Sequence, residues 1–157
     1  MLQLDSLDIK LLAALQNEGP HSAIDLSKHL GMSASQIGRR RQRLEQEGFI
    51  DRSVFRLSPK ALGLDVQAFI QIQTESQTRA THQSILELVN RQPQVVAAWT
   101  LTGEDDYIFR VFCCGLPDLN ALIQNVLLPH KGIGRVQSQI VMGEMKDDTA
   151  LPLDHLT

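Results

Sequence analysis

The sequence predicts an α+β chain in two parts: a head of three short helices, then a half in which strands and helices alternate as βαββαβ. Two observations carry this reading. Apolar residues recur at helical spacing over the first fifty positions, and from Val66 onward their period switches to two. Gly31, Gly48, Pro59 and Gly63 punctuate the pattern where one element must end and another begin.

In the head, Leu4, Leu7, Leu11, Leu12 and Leu15 follow a helical stripe, with Asp5 or Ser6 as N-cap and Gly19-Pro20 as the stop. Ser22-Ala23-Ile24-Asp25 has the form of a capping box with Asp in place of Glu, opening a short helix that runs to Leu30. Gly31 suits the left-handed residue after its end. Ser33 then caps a third helix, from Ala34 to about Glu47, closed by Gly48. Only Gly31-Met32-Ser33 joins helices two and three, and a short glycine turn between two short helices is the helix-turn-helix signature. Phe49 to Leu57 is rich in β-formers and is expected as a wing or linking strand, which would make the head a winged helix-turn-helix. Gly63 marks the expected boundary.

In the second half, Val66, Ala68, Ile70 and Ile72 alternate with Gln67, Phe69, Gln71 and Gln73, giving a strand. Ile85, Leu88 and Val89 mark a helix from Thr81 to Arg91, stopped by Pro93. Val95 to Leu101 and Tyr107 to Cys114 are the next strands, Pro117 opens a helix carrying Leu119, Ile123, Val126 and Leu127, and Val136 to Met142 is the last strand. This order is the ferredoxin-like split βαβ arrangement. The expected domains are 1–63, 64–146 and a polar tail, 147–157, partly ordered at best. Val95 to Trp99 is apolar on both faces, which favours a buried partner, either sheet core or a subunit interface.

The chain has 157 residues, 43% apolar and 21% charged, a normal balance for a globular protein. No apolar run is long enough to span a bilayer, and Met1 to Asp5 lacks the basic start of a signal peptide, so the expected location is cytoplasmic. The net charge is −3, but it is unevenly spread. Residues 1–63 carry nine Lys/Arg against seven Asp/Glu, and residues 64–157 carry six against eleven. A basic region on an acidic chain is the footprint of a local nucleic-acid contact, and a nucleoid association follows from it. Cys113 and Cys114 are adjacent, so they point to opposite faces of a strand and lack zinc-ligand spacing. His21, His29, His82 and His155 show no metal-ligand spacing either. Neither a phosphate-binding glycine loop nor a nucleophile elbow occurs. No cofactor, no metal and no catalytic residue is expected.

The third helix concentrates the bases: Arg39, Arg40, Arg41 and Arg43. The N-terminal part of such a helix enters the major groove of double-stranded DNA. Ser33, Ser35, Gln36, Arg39, Arg40 and Arg43 are therefore the candidate contacts, with Gln suited to adenine, Arg to guanine, and the remaining arginines to phosphates. The same residues would also serve as a merely solvated basic face.

These motifs resemble those of the Lrp/AsnC regulators. Leu4-Asp5-x-x-Asp8-x-x-Leu11-Leu12-x-x-Leu15-Gln16 is similar to the family's opening. So are Leu26-x-x-x-Leu30-Gly31-Met32-Ser33-x-Ser35 and Arg40-x-x-Arg43-Leu44-Glu45-x-x-Gly48-Phe49-Ile50. Gly103-Glu104-Asp105-Asp106-Tyr107 and Ser138-x-Ile140-Val141 resemble its effector domain. The resemblance implies an effector-responsive transcription regulator and not an enzyme. The effector would be an amino acid such as leucine or methionine, held by Gly103, Asp106 and Tyr107, with His130 and Ser138 as further contacts. It also implies a homodimer paired through the effector-domain sheets, assembling further to an octamer. Arg40 is left with two roles, a DNA contact or an ion-pair brace, and His130 with a second reading as an exposed loop histidine. Arg41 departs from the family's apolar residue at that position, so either it snorkels past the core or the helix is rotated. Gly38 is a poor helix former in the same helix. The rival functions are an effector-independent architectural DNA-binding protein and an enzyme resembling the siroheme decarboxylases.

Overall fold

The computed structural model describes residues 4–18, 22–146 and 150–156. The chain divides into two compact units, Met1–Arg56 with Met145–Thr157, and Leu57–Glu144. Gly63, the expected boundary, lies inside the second unit, where it ends a short 3-10 turn, Lys60–Leu62, with a positive φ.

The first unit holds α1 (Ser6–Glu18), α2 (Ala23–Leu30) and α3 (Ala34–Gln46). Asp5 caps α1: its Oδ1 accepts from the backbone N–H groups of Leu7 and Asp8 at 2.9 and 2.8 Å. Ser22 caps α2 by accepting from the Asp25 N–H at 3.1 Å. Gly31 ends α2 at φ 63°, a left-handed value that costs glycine nothing. The expected stop at Gly19-Pro20 lies outside the described residues. Leu11, Leu12, Leu26, Met32, Ile37 and Leu44 form the core, so each helix contributes one apolar face.

One expectation fails in this unit. Phe49 to Leu57 forms no strand: among the described residues it has no ladder partner, and Val54, Phe55 and Leu57 stand exposed. β-forming side chains favour an extended chain, but a strand also needs a neighbour to accept its hydrogen bonds. The described part of the tail, 150–156, is anchored on the helices of this unit. Leu153 packs against the helical core, Gln16 exchanges hydrogen bonds with the Leu151 backbone, and Asp154–Leu156 closes as a 3-10 turn.

The second unit is a four-stranded antiparallel sheet with order β2-β3-β1-β4, built from β1 (Val66–Thr74), β2 (Val95–Thr100), β3 (Tyr107–Cys113) and β4 (Ile133–Ile140). Two helices join the strands, α4 (Arg79–Arg91) and α5 (Leu116–Leu122), the latter continuing into a π-helical turn, Ile123–Leu127. This is the expected βαββαβ order. In the β1–β3 register, Ala68 faces Val111 and Ile70 faces Phe109. With Ile72 and Cys113 these residues are fully buried beneath Ile85 and Leu88 of α4, and Leu119 and Leu122 of α5. α4 starts earlier than expected because Thr78 caps it, accepting from the Thr81 N–H at 3.1 Å. β4 also starts earlier, at Ile133, which pairs with Thr74 past an irregularity in β1.

The opposite sheet face carries Gln67, Phe69 and Gln71 of β1, Ile108, Arg110 and Phe112 of β3, and Trp99 of β2. No element of this unit covers it. Trp99 is 49% exposed, whereas Val95 at the start of β2 packs partly against the core.

Candidate functional site

The turn from α2 to α3 fixes where α3 begins. Ser33 Oγ accepts from the Gln36 N–H at 3.3 Å, and Gln36 Oε1 accepts from the Ser33 N–H at 2.9 Å, a reciprocal capping box. Ser33 is thereby committed to the cap. Gln36 spends its carbonyl oxygen there and keeps its amide N–H groups for another partner. Ser35, Gln36 and Arg39 stand exposed on the outer side of α3, while Ile37 and Leu44 point into the core.

Arg40 and Arg43 take a different course. Both reach Asp8 of α1, whose side chain is 1% exposed. Arg40 Nη1 donates to Asp8 Oδ1 at 2.6 Å and to Asp5 Oδ2 at 2.7 Å. Arg43 Nη2 donates to Asp8 Oδ2. The Asp5 N–H adds a third donor to Asp8, at 3.0 Å. The hydrogen bond from Arg40 holds the Asp5 carboxyl below the usual carboxylate range, and the bonds to Asp5 and Asp8 push the Arg40 guanidinium up. Of its two open roles, Arg40 is found in the brace. Gln36, Arg39, Arg40 and Arg43 together border an open cleft of about 320 Å3.

Arg41 is partly buried, on the helix that sends Ile37 and Leu44 into the core. Its stem is half-buried and its guanidinium reaches out to Glu45 at 2.9 Å and Ser53 at 3.0 Å. That is the snorkelling alternative.

In the second unit, Asp106 and Tyr107 border a pocket of about 360 Å3, together with Arg79 and His82 of α4 and Thr100 and Leu101. The Asp106 carboxylate is engaged by the chain itself. Its Oδ2 accepts from the Thr74 N–H and hydroxyl, both at 2.7 Å, and its Oδ1 accepts from Gln77 Nε2 at 2.5 Å. The bonds from Thr74 hold its pKa below the ordinary value. Burial raises the Tyr107 hydroxyl pKa, as does the Asp106 charge. Tyr107 stacks on His82, with ring centroids 5.9 Å apart, and its hydroxyl lies 3.0 Å from His82 Nδ1.

The other residues expected at an effector site are not among those lining this pocket. Gly103 sits in the loop between β2 and β3, where φ 137° requires glycine. His130 Nε2 meets Ser84 Oγ at 2.8 Å, and its Nδ1 accepts from the Gly132 N–H at 3.2 Å, so it ties the turn before β4 to α4. Ser138 lies on the edge strand β4, opposite Ile70, and is exposed. Arg79, His82, Thr74 and Gln77 escaped the sequence reading. They are polar residues around a loop and a helix start, and only the β1–β3 pairing brings them to Asp106. Asp8 stands in the opening motif, but its partners lie 32 and 35 residues away.

Comparison with known proteins agrees across the whole chain. Residues 4–45 match the AsnC-type helix-turn-helix domain, and residues 67–151 match the Lrp/AsnC ligand binding domain. The transcriptional regulator AzlB of Bacillus subtilis is 31% identical over 99% of each chain. The Bkd operon transcriptional regulator of Pseudomonas aeruginosa is 31% identical, covering 98% of this chain and all of the relative. Among solved structures, a transcriptional regulator of Neisseria meningitidis in complex with L-methionine superposes with a TM-score of 0.94 at 33% identity, covering 99% of this chain and 100% of that one. An AsnC family regulator from Agrobacterium tumefaciens gives a TM-score of 0.86 at 32% identity, covering 98% of this chain and 100% of that one. With a capped, arginine-bearing helix after a three-residue turn, a βαββαβ unit behind it and matches to both domains, the chain belongs to the Lrp/AsnC family of transcriptional regulators.

Proposed function

We propose that α3 is the DNA-reading helix, laid into the major groove with Ser35, the Gln36 amide and Arg39 toward base edges and nearby phosphates. The observation that carries this is the exposed outer side of α3, begun by the Ser33 capping box and presenting Arg39 with no ion pair among the described residues. Ser33 contributes by fixing the helix start. Arg40 and Arg43 contribute through their anchoring on Asp8. Such a regulator works where the DNA is, in the cytoplasm at the nucleoid.

The second unit takes a small amino acid such as methionine or leucine, in the region bounded by the Gly103–Tyr107 loop and the start of α4. Support comes from the methionine bound by the Neisseria relative and from the chemistry at hand. Arg79 suits a carboxylate and Leu101 an apolar side chain. His130 and Ser138 would complete contacts only if a second protomer brought them near. The sheet face opposite the helices, with Trp99, Phe69 and Phe112, supports a homodimer, and assembly of dimers to an octamer extends the same reading.

Selection of bound fragments from a random-sequence duplex library tests the DNA reading. Near-palindromic fragments with half-sites about 10 bp or a multiple apart are expected. Recovery of fragments with no shared sequence would favour an architectural role.

A further inference from the structure

We propose that Asp8 is a specificity-determining residue: it acts as an internal substitute for a DNA phosphate, holding Arg40 and Arg43 so that Arg39 alone among these three is free to grip the backbone. The inference rests on the reading of α3 as the DNA-contacting helix and adds which of its charges are in play.

Three features support it. Asp8 is the one buried charged residue among those described, and a buried carboxylate must be compensated. Its compensation comes from Arg40 and Arg43, one to each oxygen, with the Asp5 N–H as a further donor. A carboxylate with one guanidinium on each oxygen resembles the arrangement arginines adopt around a phosphate. The two arginines are themselves partly open, with 24% and 44% of their side chains exposed, and they share a cleft with Arg39. They are therefore near enough to a bound backbone to join it. To do so fully, they would have to leave Asp8 buried without a partner, which is strongly unfavourable. The Asp8 charge also offsets the field they would otherwise project toward DNA.

The consequence is a ceiling on sequence-independent affinity. Phosphate contacts add affinity to every sequence equally, whereas base contacts discriminate. An anchor that withholds two phosphate contacts per helix lowers the background and leaves discrimination to Ser35 and Gln36.

The test is the salt dependence of binding to a mixed-sequence DNA duplex, measured by fluorescence anisotropy on the full-length protein. Variants are Arg39→Gln, Arg43→Gln and Asp8→Asn, with circular dichroism and melting curves to check folding. Each phosphate contact contributes about 0.9 to the slope of log affinity against log salt. Arg39→Gln is expected to flatten the slope by about one per engaged helix, and Arg43→Gln to leave it unchanged. Folded Asp8→Asn is expected to steepen it by about one to two per engaged helix, so that each released contact makes affinity fall about 3.5-fold further over a fourfold rise in salt. If Asp8→Asn does not fold, Arg43→Gln in the otherwise native chain decides. Flattening by Arg43→Gln equal to that of Arg39→Gln would overturn the proposal, as would an unchanged slope in folded Asp8→Asn. If Arg39→Gln also leaves the slope untouched, the reading of α3 itself fails, a distinct result that takes the proposal with it.

Discussion

Asp106 Oδ2 accepts two hydrogen bonds from Thr74, one from its N–H and one from its hydroxyl, both at 2.7 Å. The pair ties the start of β3 to the end of β1, next to the loop that carries Gly103. The family resemblance implies Asp106 as an effector contact, yet both oxygens already have donors, since Gln77 occupies the other. Its first task is to hold the rim of the pocket in shape. Asp106→Ala leaves the Thr74 N–H without its acceptor and is expected to cost about 1–3 kcal/mol, read as a lower melting temperature. Because the folded-state pKa lies below the unfolded value of about 3.9, this stabilisation is complete above that value and is lost as pH falls through the folded pKa. Native protein should therefore lose stability below about pH 4 more steeply than Asp106→Asn. Parallel acid melting profiles would show that the carboxylate contributes nothing.

Gly38 offers a second check. It sits inside α3 on an exposed side, with open space where a Cβ would be. Gly38→Ala should stabilise the isolated protein by about 0.5–1 kcal/mol, because alanine loses less backbone entropy in a helix interior. The DNA assay then separates two reasons for a glycine there. Weaker binding by the more stable variant means that DNA backbone or bases approach α3 closely at this position. Unchanged binding means the position is merely solvated.

What the sequence revealed and what it hid follow one physical division. Local rules were enough to narrow the first cap to Asp5 or Ser6, to give the caps at Ser22 and Ser33 and the left-handed Gly31, and to give the alternation of Ala68, Ile70 and Ile72, because each depends on residues within one turn or one strand. The βαββαβ order followed from the same signals. The Asp8 anchor, the Thr74–Asp106 tie and the His82–Tyr107 stack did not, since each joins residues 25 to 35 positions apart whose types are ordinary surface polar groups. The failed strand at Phe49 to Leu57 belongs to the same division. Its propensity is legible, but its lack of a ladder neighbour is a tertiary fact.

Trp99 makes the proposed dimer measurable. It is the only tryptophan in the chain, and it lies half exposed on the sheet face opposite the helices. If two copies pair through that face, emission should be blue-shifted at high protein concentration. It should move to the red on dilution, together with the sedimentation coefficient. Trp99→Arg places a charge in that contact and is expected to yield monomer in sedimentation velocity at concentrations where the native chain is dimeric. A dimer that survives the substitution with unchanged affinity would place the contact elsewhere.

The effector reading has a direct thermodynamic consequence. A ligand that binds only the folded chain at 100 times its Kd stabilises it by about 2.7 kcal/mol. A thermal-shift screen against the twenty amino acids, in amino-acid-free buffer, is therefore expected to single out one or a few apolar members, methionine and leucine foremost. Arg79→Ala should then remove most of the shift, because the pocket loses its cation for the carboxylate, while the unliganded melting temperature stays nearly constant for this exposed side chain. A shift that survives Arg79→Ala but disappears with Ser138→Ala or His130→Ala would move the site to the β4 side and require residues of a second protomer. No shift with any amino acid would remove the amino-acid effector while leaving the DNA-reading role of α3 intact.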